Sequence, residues 1–200
     1  MRLLIIAPCL LSPFYVYRGP KEKELRTATE IRRLLAEFGD DWHVLAYPCP
    51  EFELLGWPRP PMSREVLEAL GIREKVEVIA DFIGRVLTEE KPETVVFVGV
   101  KGSPTCGVFT STSSDPEEYP IEEVRHFFYL SKGERLVTYG DIIERAGLKL
   151  VNGEGGLFAE LRHRFGNMEA VWLEFDKDNI GGSILRLQKV LKGLEERPKS

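Results

Sequence analysis

The 200-residue chain holds one glutamine, Gln188, and only three asparagines and three histidines, while Glu, Lys and Arg are plentiful. That bias is the one reported for proteins from hot environments, so a thermophile source is expected. No stretch approaches the roughly 18 consecutive apolar residues of a membrane-spanning helix. The apolar run from Leu3 to Ala7 is too short for the hydrophobic region of a signal peptide. A cytoplasmic protein with no membrane contact is the expectation. Positive charge is in deficit as well: a net charge of -5 argues against a chain-wide nucleic-acid surface. A small neutral or weakly charged ligand fits that balance better, with tRNA left open as a partner through a local basic groove. Cysteine is scarce and odd in number, with Cys9, Cys49 and Cys106 in a chain expected to carry no export signal, which argues against a disulfide framework.

What is present is a repeating alternation of strand and helix patterns. Hydrophobic residues make up 43% of the chain, enough for one good core, so a single α/β domain over residues 1–200 is expected. Leu3 to Ala7, His43 to Tyr47, Thr94 to Val100, Lys149 to Asn152 and Ala170 to Phe175 read as strands. Helical spacing recurs from Leu25 to Phe38, from Ser63 to Leu70, through Val76, Ile79, Phe82, Ile83, Val86 and Leu87, from Asp141 to Ala146, from Gly156 to Phe165 and from Ile184 to Leu194. Residues 109–139 read as an insertion or irregular segment with a helix near Ile121, Val124 and Phe128. Such alternation implies βαβ units. The expected fold is a three-layer, Rossmann-like or flavodoxin-like domain with a mostly parallel sheet of about five strands.

In such sheets ligands bind beyond the carboxyl ends of the strands, where the strand order reverses. Cys9 lies two residues after the first strand, Cys49 two after the second and Cys106 six after the third. Neighbouring strands stand about 4.8 Å apart, so three loops can bring three sulfurs to one centre. Prolines flank each cysteine: Pro8, then Pro48 and Pro50, then Pro104. They stiffen the loops that present the thiols. An iron-sulfur cluster suits three thiolates, and three ligands on a four-iron cluster leave one iron open. Zinc prefers four ligands in structural sites and takes His more often in catalytic ones. The histidines His43, His126 and His163 fall at a strand start and on helices. The glycine-rich stretches Gly153-Glu154-Gly155-Gly156 and Asn179 to Ser183 each precede a helix. Neither matches a full phosphate-binding fingerprint, and both read as helix starts.

Cys9-Leu10-Leu11, then Cys49-Pro50-Glu51 followed by Gly56, Pro58, Arg59 and Pro60, and then Gly102-Ser103-Pro104-Thr105-Cys106-Gly107 together resemble the thiouracil desulfurase (TudS-like) family. The resemblance covers roughly residues 1–110, with an echo in Gly147 to Val151. It implies removal of sulfur from a thiolated pyrimidine, 2-thiouracil or 4-thiouridine in type, by a [4Fe-4S] cluster held by Cys9, Cys49 and Cys106, whose open iron binds the substrate sulfur. It further implies that Glu51 activates water and that Ser103 positions the substrate or transfers a proton. This chain is a divergent member: Val16-Tyr17-Arg18-Gly19 stands where the family commonly has Arg-Tyr-Asp-Gly, and Ser12 replaces a usual glycine. Tyr17 and Arg18 are candidate contacts for the base.

Two other readings share the site. One is a non-enzymatic iron-sulfur or metal-binding module that carries sulfur or senses redox state. The other is a zinc site in an α/β protein, with Glu51 as the fourth ligand.

Overall fold

The computed structural model describes residues 1–195; residues 196–200, the tail of the expected domain, lie outside the described residues. In chain order the elements are β1 (Arg2–Ile6), α1 (Pro8–Leu11), α2 (Glu22–Glu37), β2 (Trp42–Leu45), α3 (Pro50–Leu55), α4 (Arg64–Ala69), α5 (Arg73–Glu90) and β3 (Thr94–Val100). There follow β4 (Thr110–Ser113), α6 (Ile121–Arg125), α7 (Lys132–Arg145), β5 (Lys149–Asn152), α8 (Gly156–Phe165), β6 (Ala170–Phe175) and α9 (Ile180–Glu195).

The main sheet has the order β2-β1-β3-β6 and is parallel throughout. The central strands β1 and β3 are buried along nearly their whole length, because helices cover both faces of the sheet. α2 packs on α9, and α5 packs on α8. Right-handed crossovers put the first pair on one face and the second pair on the other, since β1 leads outward to β2 while β2 and β3 lead the opposite way. This is the expected α/β architecture with a parallel sheet. The order reverses between β1 and β3, which defines the switch point.

The fourth expected strand, Lys149–Asn152, forms but stands outside this sheet. It runs antiparallel to β4, with Thr110 opposite Asn152 and Ser113 opposite Lys149. All four residues of β5 are exposed, so they do not suit a sheet covered on both faces. The segment 109–139 holds β4, α6 and the first half of α7. α7 begins well before Asp141, at a capping box in which Ser131 and Glu134 bond each other's backbone N–H groups. Three residues expected at helical spacing with core positions are exposed, Leu25 at 51%, Phe82 at 43% and Phe128 at 54%, the last because α6 ends at Arg125. On α2 the inward position is taken instead by Glu24, which is 2% exposed and paired with Arg18.

Candidate active site

Each cysteine is set by the element that follows its strand. β1 ends at Ile6, and α1 starts at once with Pro8 and Cys9. Beyond β2, Cys49 is the N-cap of α3, with Pro50 in the first helical position, where its missing N–H costs nothing. β3 ends at Val100, and the chain folds back so that the Val100 N–H donates to the carbonyl of Cys106 at 2.8 Å. All three thiols are free.

The Cys106 loop is fixed from two directions. The N–H groups at the start of α8 donate into it, Gly156 to the Pro104 carbonyl at 2.9 Å and Leu157 to the Thr105 carbonyl at 3.0 Å. A side chain on Gly155 would run into the backbone of Thr105 and Gly107, so only glycine allows this approach. From β6, Glu174 accepts the backbone N–H groups of Val108, Phe109 and Thr110 at 2.8 to 2.9 Å on one carboxylate oxygen and the Thr110 hydroxyl on the other. The stretch from Gly153 to Gly156 therefore serves the loop: the N–H groups of Gly153, Gly155 and Gly156 are already taken by the carbonyls of Phe109, Gly107 and Pro104. At the other glycine-rich stretch the Asn179 side chain caps α9 by accepting the Gly182 N–H.

One cavity of about 430 Å³ opens at the switch point, within the ~300–1,000 Å³ range of small-molecule sites. It brings together every residue singled out from the sequence: Cys9, Cys49, Cys106, Glu51, Ser103, Tyr17 and Arg18. No histidine lines it. Among the described residues, no three His, Cys, Asp or Glu side chains are grouped as ligands of a single metal ion.

Glu51 is held at both oxygens. Oε2 accepts from Arg59 Nη2 at 2.9 Å, and Oε1 accepts the Thr105 hydroxyl at 2.6 Å. Arg59 also donates to the carbonyls of Gly56 and Tyr15, and its Nη2 lies 3.9 Å from the Cys49 sulfur. Although burial disfavours its charge, the carboxylate of Glu51 keeps the guanidinium pKa above its ordinary value. The Ser103 hydroxyl oxygen accepts the backbone N–H of Cys106 at 2.9 Å, which stabilises the turn and leaves the hydroxyl proton available. Tyr17 stacks on Tyr139 with rings 13° from parallel, and Arg18 donates to Glu24 at 2.6 Å.

Burial pushes the Cys49 thiol up to about 12, with the charge of Glu51 adding to the shift and Arg59 opposing it. Burial raises Cys106 well above the usual thiol range, reinforced by Cys49 and Cys9. Lys177 Nζ donates to the Cys9 sulfur at 3.2 Å, and the Tyr47 hydroxyl lies 3.8 Å from the Cys106 sulfur. Thiols buried in this way become thiolates when they bind a cationic centre. A set of three thiols without imidazole, with Arg59 and Lys177 beside two of the sulfurs, fits a thiolate-ligated iron-sulfur cluster in donor chemistry.

Three neighbours escaped the sequence reading. Thr105 and Arg59 both lie inside the stretches that carry the resemblance, yet their contacts join segments far apart in the chain. Lys177 follows the carboxyl end of β6, so the rule that located the cysteines, extended to the last strand, would have found it.

No curated protein and no solved structure matches the chain. A family model described as "Putative 2-thiouracil desulfurase" matches residues 1–193. Since that match runs over nearly its whole length, the chain belongs to the putative 2-thiouracil desulfurase family.

Proposed function

We propose that the protein removes sulfur hydrolytically from a thiolated pyrimidine, replacing C=S by C=O and releasing sulfide. The observation that carries this reading is the single cavity in which three cysteines and an Arg-paired glutamate stand together in a chain of the desulfurase family. Cys9, Cys49 and Cys106 would hold a [4Fe-4S] cluster. Bound there, such a cluster supplies an open iron that acts as a soft Lewis acid toward sulfur.

The remaining roles belong to the chain's own side chains. Glu51, oriented by its ion pair with Arg59, takes a proton from water and so makes the nucleophile. Ser103, with its oxygen engaged by the backbone, directs its own proton toward the substrate. The ring of Tyr17, steadied by Tyr139, offers a flat face to a base. Arg18 lies at the same wall, its charge balanced by Glu24.

A zinc site with Glu51 as fourth ligand is less well supported, because both carboxylate oxygens are engaged, one by Arg59 and one by Thr105. The test is anaerobic reconstitution with iron and sulfide, followed by an absorbance spectrum and an assay of hydrosulfide released from 2-thiouracil and 4-thiouridine. A brown protein that releases hydrosulfide, with release abolished in Cys9→Ala, Cys49→Ala, Cys106→Ala and Glu51→Ala, is expected. A protein that stays colourless and iron-free would overturn the reading.

A further inference from the structure

Thr105 links Glu51 and Ser103, the base and the proton donor of the reading above. Its hydroxyl donates to Glu51 Oε1 at 2.6 Å, and its oxygen lies 3.4 Å from the Ser103 hydroxyl oxygen. Thr105 is 1% exposed and belongs to the cavity wall. Its backbone is pinned at both ends: its N–H faces the Ser103 hydroxyl oxygen at 3.4 Å, and its carbonyl takes N–H bonds from Leu157 and Phe158. A β-branched side chain on so fixed a backbone has little choice of rotamer, so its hydroxyl stays between the two groups.

We infer that Thr105 is the positioning residue that joins Glu51 and Ser103 into one proton relay. This rests on the desulfurase reading. The O–H bond of water breaks as its oxygen bonds to the thiocarbonyl carbon, and the proton goes to Glu51. Once Glu51 holds that proton, the Thr105 hydroxyl, which donates to it at rest, rotates its O–H toward Ser103; Glu51 then gives a proton to the Thr105 oxygen, Thr105 passes its own to Ser103, and Ser103 delivers its own to the sulfur that departs with the C–S electron pair. The second proton of the attacking water follows the same route as C=O forms, so the products are the oxo compound and hydrogen sulfide, with no net oxidation or reduction. The 3.4 Å gap is longer than a formed O–H···O bond, and catalytic hydrogen bonds of this kind tighten when substrate is bound.

Two measurements test the relay. The first needs no turnover: in the cluster-free protein, a hydroxyl proton in a 2.6 Å bond and shielded from water resists exchange and gives its own NMR resonance. That resonance should vanish in Thr105→Val and in Glu51→Gln and persist in Thr105→Ser. Its absence from the wild type would overturn the inference even if the enzyme is active. The second uses the reconstituted enzyme. Thr105→Val should lose about 10²-fold or more in kcat with KM and iron content unchanged. The solvent deuterium isotope effect, which reflects several protons in the wild type, should reduce to one, and Thr105→Ser should recover most of the rate. A Thr105→Val enzyme at wild-type kcat, or one whose loss merely follows lost iron, would overturn the relay while leaving the desulfurase reading intact. A wild type that binds the cluster yet releases no hydrosulfide would remove both.

Discussion

Arg59 and Glu51 form a salt bridge of 2.9 Å in which the guanidinium is 2% exposed and the carboxylate 12%. A cation so deeply buried is held by Glu51 together with the carbonyls of Gly56 and Tyr15, so it fastens the approach to the cavity at three points.

Removing one partner of a buried pair strands the other charge. Arg59→Met should therefore lower the unfolding free energy by about 3–5 kcal/mol, read by urea denaturation of the cluster-free protein. Adding Glu51→Gln should restore part of that loss, because no bare carboxylate then remains. Arg59→Lys should help little, since an ammonium cannot reproduce the planar fork that serves four acceptors. A double variant no more stable than Arg59→Met would show that the charge itself is not what the pair neutralises.

The raised pKa of Cys49 makes a prediction about alkaline pH. In the unfolded chain this thiol ionises near 9, while in the folded protein it stays neutral up to about 12. Below pH 9 both states carry the proton, and stability is whole; above it the unfolded state alone ionises, and stability falls as pH rises toward 12. Melting temperatures of the cluster-free protein should drop across that window, and less steeply in Cys49→Ala. Equal slopes in the two proteins would count against the assignment.

Glu174 should matter beyond its own strand. Charge-assisted bonds to backbone N–H groups contribute about 1.5–3 kcal/mol each, and Glu174→Ala removes the shared acceptor of three of them. A loss of at least about 2 kcal/mol is expected, accompanied by weaker iron retention, because these bonds aim the Cys106 loop. Glu174→Gln keeps an acceptor oxygen and should lose less. Iron content after desalting reads the second effect directly.

For Tyr17 the expectation is a change in binding. Tyr17→Ala should raise KM for a thiolated pyrimidine by a factor equivalent to about 1–3 kcal/mol of stacking, with kcat little altered. Tyr17→Phe, which keeps the ring, should leave KM near the wild-type value. A fall in kcat without a rise in KM would place the residue in some other role.

How far these features could be read beforehand depended on whether one segment carried the signal. β1 and β3 were legible because strands covered on both faces read as unbroken apolar runs, and the cysteines gained meaning from the ends of those runs. β4, Thr-Ser-Thr-Ser, has no such run; its pairing with β5 comes from a segment some forty residues away. The part of α7 before Asp141 was hidden by Gly133 and Gly140, although its Ser-x-x-Glu start was in view. The Thr105 to Glu51 bond joins residues 54 positions apart, and no local pattern announces it.

The loop that presents Cys106 takes its shape from α8 and β6, elements that follow it by some fifty to seventy residues. Gly-Ser-Pro-Thr-Cys-Gly is therefore not a portable module. Transplanted into another parallel sheet without a counterpart to Gly155 and Glu174, it would bring the thiol but not its direction, so a designed copy must carry residues from three separate places in the chain.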